Sequence, residues 1–229
     1  MNLPYPLLEP LWHWLAWLLW LPWLGWALWC ADWRRFRAQP GHLHIWLGMI
    51  VVLMLVWSLK AGVKPGLELH LTGIMLFTLA FAPPLAIVGL NLVLLGLTAN
   101  GTLPWQGFAL NALLTIGLGV ALAQGIHLLV DRFLPRHFFI FVFLKGFFGS
   151  ALTVMGLGLA FTLLYGSTET YAWAYLREEY LPYYLLLGFS EAWLSGMALT
   201  LMLVYFPGWV VTFDDALYLN DRPPPETKV

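Results

Sequence analysis

Long apolar runs cover most of the chain, and short polar stretches separate them. The runs do not alternate between apolar and polar residues, as the strands of a membrane β-barrel would. Several reach the roughly 20 residues that an α-helix needs to cross the hydrocarbon core. The pattern predicts an all-α polytopic membrane protein with about seven transmembrane helices. Their predicted bounds are about 11–30, 45–59, 70–82, 84–97, 105–130, 138–165 and 181–206.

The apolar run over residues 70–97 is too long for a single crossing, and Pro83 and Pro84 interrupt it. Proline cannot donate a backbone hydrogen bond, and its ring clashes with the preceding turn. We therefore expect two short helices that meet at a tight inner turn. A single kinked helix is the alternative.

Basic residues near the helix ends set the expected orientation. Arg34, Arg35 and Arg37 directly follow the first helix, so the positive-inside rule places this loop in the cytoplasm. The N-terminus is then outside the cell inner membrane and the C-terminus is cytoplasmic. The predicted organisation is an extracytoplasmic N-terminal loop over 1–10, a seven-helix transmembrane domain over 11–206 and a cytoplasmic tail over 207–229.

The composition indicates a protein embedded in the lipid bilayer. Hydrophobic residues make up 61% and charged residues 10% of the chain, too few charges to cover a soluble surface. The net charge is −1, so the chain has no excess of basic residues and we do not expect it to bind nucleic acid. The single Cys30 excludes an intrachain disulfide. The first residues lack the basic region of a signal peptide, so we expect the N-terminus to remain in the mature protein.

Tryptophan recurs at every third position of the first predicted helix. Such a stripe is typical of interfacial anchoring and aromatic packing, and stacking of a pigment or quinone is the alternative. The residues are Trp14, Trp17, Trp20, Trp23, Trp26 and Trp29.

Lys145 and Glu191 are charged residues inside predicted helices, where a charge is costly and often functional. Their predicted depths are close enough for a salt bridge or a water-bridged pair. Such a pair would lock the sixth helix to the seventh, or the carboxylate of Glu191 would belong to an ion pathway.

His70 opens the third predicted helix, at the outer boundary between water and membrane. A histidine on the first turn of a rigid helix, within reach of solvent, is a candidate metal ligand. Glu68 lies two residues earlier and would orient the imidazole, as carboxylates beside metal sites do, or simply be solvated. Asn91 and Asn111 are expected to hydrogen-bond to neighbouring helices, with a role beside His70 as the alternative.

Three segments resemble the permease, the substrate-binding membrane component, of cobalt/nickel energy-coupling-factor ABC transporters. Residues 66–73, Gly-Leu-Glu-Leu-His-Leu-Thr-Gly, resemble a Gly-Thr-Ser-x-His-Leu-Thr-Gly-like segment of that family. Residues 188–196 resemble its Gly-x-x-Glu-Ala-Leu-x-x-Gly segment, and Pro207 follows as a proline does there. The start, which ends in Glu9-Pro10-Leu11-Trp12, is similar to a Leu-Ser-Pro-x-x-Trp start.

The resemblance implies a metal-uptake permease that binds Ni²⁺ or Co²⁺ near its outer face. The family uses the N-terminal amine, a histidine at position two and the histidine of the third helix, and such nitrogen-rich sets suit Ni(II). The corresponding residues here are Met1, Asn2 and His70. Asn2 departs from the pattern, because an amide is a far weaker ligand for a late transition metal than imidazole.

The chain contains no Gly-x-x-x-x-Gly-Lys-Ser/Thr segment, so it carries no recognisable nucleotide site. A transporter of this kind would need a coupling transmembrane subunit and ATPase subunits. The alternative is a non-transporting accessory or structural subunit of another membrane complex. The sequence contains neither a His-Glu-x-x-His motif nor a recognisable nucleophile–base pair, so no motif indicates an enzyme.

Overall fold

The computed structural model describes residues 10–62 and 67–219. In chain order these residues form eight helices and one short hairpin. The elements are α1 Pro10–Cys30, α2 Trp33–Ala38, α3 Pro40–Ser58, β1 Ala61–Gly62, β2 Glu68–Leu69, α4 Ile74–Ala99, α5 Trp105–Phe133, α6 Phe138–Ser167, α7 Trp173–Tyr205 and α8 Asp215–Tyr218.

Helices α3 to α7 are long and apolar enough to cross a membrane, five such helices in the described part of the chain. Helix α1 is 21 residues long and packs against α4 and the start of α5. The predicted all-α polytopic membrane fold is confirmed. The number of crossings and the sides on which the termini lie remain predictions.

Helix α4 is a hairpin of two antiparallel half-helices. Ala82 has φ 63° and ψ 160°, which is incompatible with a continuous helix, and Pro83 and Pro84 follow it directly. A Cβ added to Gly89 would lie 2.7 Å from ring atoms of Phe77, although a straight helix would separate these residues by about 18 Å. The preferred prediction of two short helices meeting at a tight turn is therefore confirmed.

The proline pair leaves two carbonyl groups without their normal helical partners. In a continuous α-helix the carbonyls of Leu79 and Ala80 would accept from residues 83 and 84, but proline has no N–H. The structure supplies donors from the segment after α7. Val211 N donates to Ala80 O at 2.9 Å, and Thr212 donates to Leu79 O through its N at 3.3 Å and its Oγ1 at 2.8 Å.

The bundle has two chemically different ends. At one end α2, the turn at Ala82, the link 134–137 and the segment 206–219 lie together. Trp46 contacts Phe36 of α2 and donates to Leu85 O beside the turn. Val211 N donates to Ala80 O, and Phe138 packs on Phe213. We call this the arginine-rich end, because it carries Arg34, Arg35, Arg37, Arg132 and Arg136. At the opposite end, here the hairpin end, β1 pairs with β2 in antiparallel register.

Several predicted boundaries differ from the structure. His70 lies in an irregular segment, and α4 begins only at Ile74, because Gly73 adopts a left-handed φ of 62°. Helix α7 begins at Trp173, within a stretch predicted to be a loop. The short helix α2 and the β-hairpin were not predicted.

The tryptophans of the α1 stripe lie in two different environments, one exposed and one packed against α5. Trp14 and Trp29 are strongly exposed, at 74% and 89% of their surface, as expected for residues that face lipid. Trp17 and Trp20 pack around Phe108 of α5, with ring centroids 5.9 Å and 5.3 Å from it. These contacts are the aromatic packing that the spacing predicts, and the interfacial anchoring stays a prediction.

The hairpin in α4 predicts a specific effect of crowding at Gly89. Gly89→Ala should lower the free energy of unfolding by about 1–3 kcal/mol, since the new methyl group overlaps the ring of Phe77. Gly125→Ala is the matched control, because a Cβ there meets nothing within 4 Å. Thermal unfolding in detergent micelles measures both. In the Phe77→Ala background the ring is absent, so Gly89→Ala should cost less stability there than in the wild type. An equal cost of Gly89→Ala in both backgrounds would contradict the hairpin.

Candidate metal centre

His70 lies between β2 and α4 and is only 2% exposed. We expected it at the surface on the first turn of a helix, and this expectation is wrong. Gly73 packs against Leu53, more than a turn before α3 ends, so the segment over 70–73 dips into the bundle. Its imidazole is therefore enclosed by protein, and its depth relative to the membrane boundary stays a prediction.

The imidazole of His70 is oriented by its own chain. Nδ1 lies 3.0 Å from Leu71 O, and because a carbonyl only accepts, Nδ1 carries the proton and donates. Burial lowers the pKa of His70 well below its usual value, so the ring is neutral. Nε2 then holds a lone pair, and it is buried without a hydrogen-bond partner in the described part of the chain. A buried imidazole nitrogen in this state is chemically suited to bind a metal ion.

Trp57 of α3 packs beside the imidazole and fixes the segment that carries it. The ring centroids of Trp57 and His70 are 5.0 Å apart, with planes inclined at 43°. The indole Nε1 donates to Thr72 O at 2.9 Å. Trp57 is fully buried, so this bond joins α3 to the His70 segment in a dry environment.

The carboxylate of Glu191 holds the same segment from the other side. It accepts from Thr72 N at 2.7 Å, Gly73 N at 2.6 Å, Thr72 Oγ1 at 3.2 Å and Ser195 Oγ at 3.1 Å. All four partners are donors, which is the arrangement that an ionised carboxylate requires. Glu191 is 1% exposed, so these bonds replace the water that a buried charge would lose.

The position of Glu191 also suits the start of α4. A helix N-terminus leaves backbone N–H groups unsatisfied and carries a partial positive charge, which a carboxylate stabilises. Thr72 and Gly73 precede Ile74, the first residue of α4, so the side chain binds at this terminus. Glu191 therefore sets where the His70 segment ends and the helix begins.

We expected Lys145 to pair with Glu191, and the structure corrects this. The Nζ of Lys145 donates to Asp131 Oδ1 and, at 2.9 Å, to Tyr218 Oη. Helix α6 places Lys145 near the arginine-rich end, while Glu191 binds the His70 segment. The depths estimated from the sequence were similar, but the two charges do not meet. Lys145 binds Asp131 and Tyr218, and Glu191 binds Thr72 and Gly73.

Glu68 and Asn91 make contacts elsewhere. Both carboxylate oxygens of Glu68 lie 2.9 Å from Lys60 Nζ across the β-hairpin, and Leu71 O takes the orienting role at the imidazole. Asn91 accepts from Trp20 Nε1 at 2.8 Å, which joins α1 to α4 as a helix-to-helix bond.

Asn111 is fully buried and donates to Gly107 O of its own helix at 2.9 Å. Met1 and Asn2 lie outside the described residues. Within the described ranges, no three His, Cys, Asp or Glu side chains gather to hold a metal ion. The roles of Met1, Asn2 and Asn111 beside His70 therefore remain predictions.

Two residues of the site were not singled out from the sequence. Trp57 is one of 14 tryptophans, and nothing in its spacing distinguishes it. Thr72 belongs to the motif that contains His70, but its hydroxyl and amide matter only because α7 brings Glu191 against them.

The fold is similar to that of a solved protein described as a truncated transition metal transporter. The two structures agree with a TM-score of 0.66, covering 90% of this chain and 99% of the other, at 16% sequence identity. This likeness concerns the fold. A comparison with curated proteins gives no match.

The sequence matches a family model over residues 2–209, nearly its whole length. That model describes the cobalt uptake substrate-specific transmembrane region, CbiM. The chain therefore belongs to this family, and it is a multi-pass membrane component of metal-ion uptake rather than an enzyme.

Proposed function

We propose that this protein binds a divalent transition-metal ion, nickel-like or cobalt-like, through His70 as the substrate-binding step of uptake. The observation that carries the proposal is the buried lone pair on Nε2 of His70, held in place by Leu71, Trp57 and Glu191. A buried polar atom without a partner is costly, so a site that keeps one is suited to a ligand.

Imidazole nitrogen favours Ni²⁺, Co²⁺, Cu²⁺ or Zn²⁺, whereas Mg²⁺ and Ca²⁺ prefer oxygen. The carboxylate of Glu191 binds the backbone amide of Thr72, two residues after His70. Its negative charge lowers the free-energy cost of bringing a dication into the bundle. By family resemblance, the amine of Met1 and the side chain of Asn2 complete the ligand set.

The charges at the two ends support an orientation. The arginine-rich end carries five arginines in its links and helix ends, while the described part of the hairpin end has Lys60 and Arg177. The positive-inside rule then places the arginine-rich end in the cytoplasm and the hairpin end outside the inner membrane. The metal enters beside the β-hairpin in this orientation.

Energy for uptake must come from other subunits, because the chain contains no phosphate-binding loop. We propose a coupling transmembrane subunit and ATPase subunits as partners. Copurification with ATPases supports this assignment, and copurification with an unrelated membrane complex identifies an accessory subunit instead.

Removal of the imidazole should abolish metal binding. Purified wild-type protein with its native N-terminus should be stabilised by Ni²⁺ or Co²⁺, by about 2.7 kcal/mol at a hundred times the dissociation constant. His70→Ala should lose this stabilisation because its lone pair is gone. Thermal unfolding with and without metal provides the measurement.

His44→Ala is the matched control, since His44 is exposed on α3 and lies at the arginine-rich end. It should keep the full response to metal. An equal response in His70→Ala and wild type, or no response in wild type, contradicts the proposed function.

Glu191→Gln tests the support of the His70 segment. The amide replaces one acceptor with a donor, which then faces the donors of Thr72 and Gly73. We expect a loss of about 1–3 kcal/mol in stability and weaker metal binding, both by thermal unfolding. Glu179→Gln, an exposed carboxylate of the same helix, should change neither quantity. Wild-type behaviour of Glu191→Gln would show that the carboxylate does not organise the site.

The asparagine at position two offers a gain-of-function test. Asn2→His should raise the affinity for Ni²⁺ at least tenfold, about 1.4 kcal/mol, since imidazole is much the better ligand. Isothermal titration of wild type and variant gives the comparison. Equal affinities would place residue two outside the ligand set.

A further inference from the structure

The first half of α4, residues 74–81, is a helix of eight residues between His70 and the turn at Ala82. So short a helix is unstable by itself, because propagation cannot offset the cost of nucleation. Its position depends on what satisfies the groups at its two ends. Glu191 binds at the N-terminal end, and residues 211 and 212 bind at the C-terminal end.

The C-terminal contacts come from a distant part of the sequence. Thr212 and Val211 lie more than 130 residues after the carbonyls that they satisfy, beyond the end of α7. Together they supply three donors to Leu79 O and Ala80 O, the two carbonyls whose helical partners are prolines. Without these donors the half-helix would end in buried acceptors with no partner.

The segment that provides these donors is itself fixed to the bundle. Tyr218 of α8 donates from its hydroxyl to Asp131 Oδ1 at 3.0 Å and accepts from Lys145 Nζ at 2.9 Å. Burial raises the pKa of Tyr218, so the hydroxyl remains a donor. Its ring packs on Phe213 and Phe141, with centroids 5.0 Å apart in each case.

We propose that residues 210–218, which we call the tail latch, position the His70 segment by holding the far end of the half-helix over 74–81. Lys145, Asp131 and Tyr218 keep the latch closed, and Thr212 is its contact with the half-helix. The proposal concerns positioning residues, since none of them touches His70. Its consequence for metal rests on the proposed function above.

The half-helix is a connector about 12 Å long, with Thr72 and Gly73 at one end and the latch at the other. If the latch opens, the carbonyls of Leu79 and Ala80 lose their donors and the half-helix shifts or frays. The amides that Glu191 binds then move, and with them His70, four residues before the helix begins. A subunit that displaces the latch at the arginine-rich end would thereby loosen the metal site across the bundle.

Two conservative variants test separate contacts of the latch. Tyr218→Phe removes the hydroxyl between Lys145 and Asp131 and keeps the ring, and Thr212→Val removes one donor to Leu79 O. The matched controls are Tyr205→Phe, an exposed tyrosine at the end of α7, and Thr200→Val, whose hydroxyl bonds within its own helix.

Amide hydrogen exchange of the full chain in lipid nanodiscs, without metal, is the first measurement. Both latch variants should exchange at least about fivefold faster than wild type over residues 70–81 as well as over 210–218. The controls should match wild type. Faster exchange confined to 210–218, or none in either variant, overturns the proposal.

Titration with Ni²⁺ and Co²⁺ is the second measurement. Latch variants should bind about five- to tenfold more weakly than wild type, and by reciprocity metal should slow exchange at Val211 and Thr212 in wild type. Unchanged affinity together with faster exchange over 70–81 overturns the link to the metal site. If wild type binds no metal, the proposed function fails, and exchange over 70–81 still decides whether the latch positions His70.

Discussion

One buried carboxylate organises the centre of this protein. Glu191 is 1% exposed, and its oxygens accept from the backbone of Thr72 and Gly73. A charge in that position is tolerable only when donors surround it, and backbone amides at a helix start are among the best donors available. The bond therefore fixes both partners at once. It determines where α4 begins and holds the preceding segment, with His70, inside the bundle.

At the other end of the half-helix over 74–81, carbonyl groups lack hydrogen-bond donors within the helix. Pro83 and Pro84 remove two backbone donors, so the chain turns at Ala82 and folds back along itself. The carbonyls left behind need partners, and the segment after α7 provides them. A local defect in one helix is thus compensated by residues from the far end of the sequence. This arrangement ties the arginine-rich end to the segment that carries His70.

The state of His70 follows from these two constraints. Because the segment is buried, the imidazole is neutral, and because Leu71 O accepts from Nδ1, the lone pair lies on Nε2. A neutral, oriented imidazole in a dry site is prepared to bind a metal ion without prior loss of a proton. Membership of the cobalt uptake family agrees with this chemistry.

The sequence by itself determined the membrane class, the helical fold, the break at the proline pair and the candidate His70, because hydrophobic run length, proline geometry and a short motif are local properties. It misplaced His70 on a helix and paired Lys145 with Glu191, because the partners of a buried charge depend on which helices meet. Thr72 and Gly73 gain their importance only when α7 brings Glu191 to them. Tyr218 likewise becomes the partner of Lys145 only when the chain returns after α7. Such contacts join residues more than 70 positions apart, so only the tertiary structure decides them.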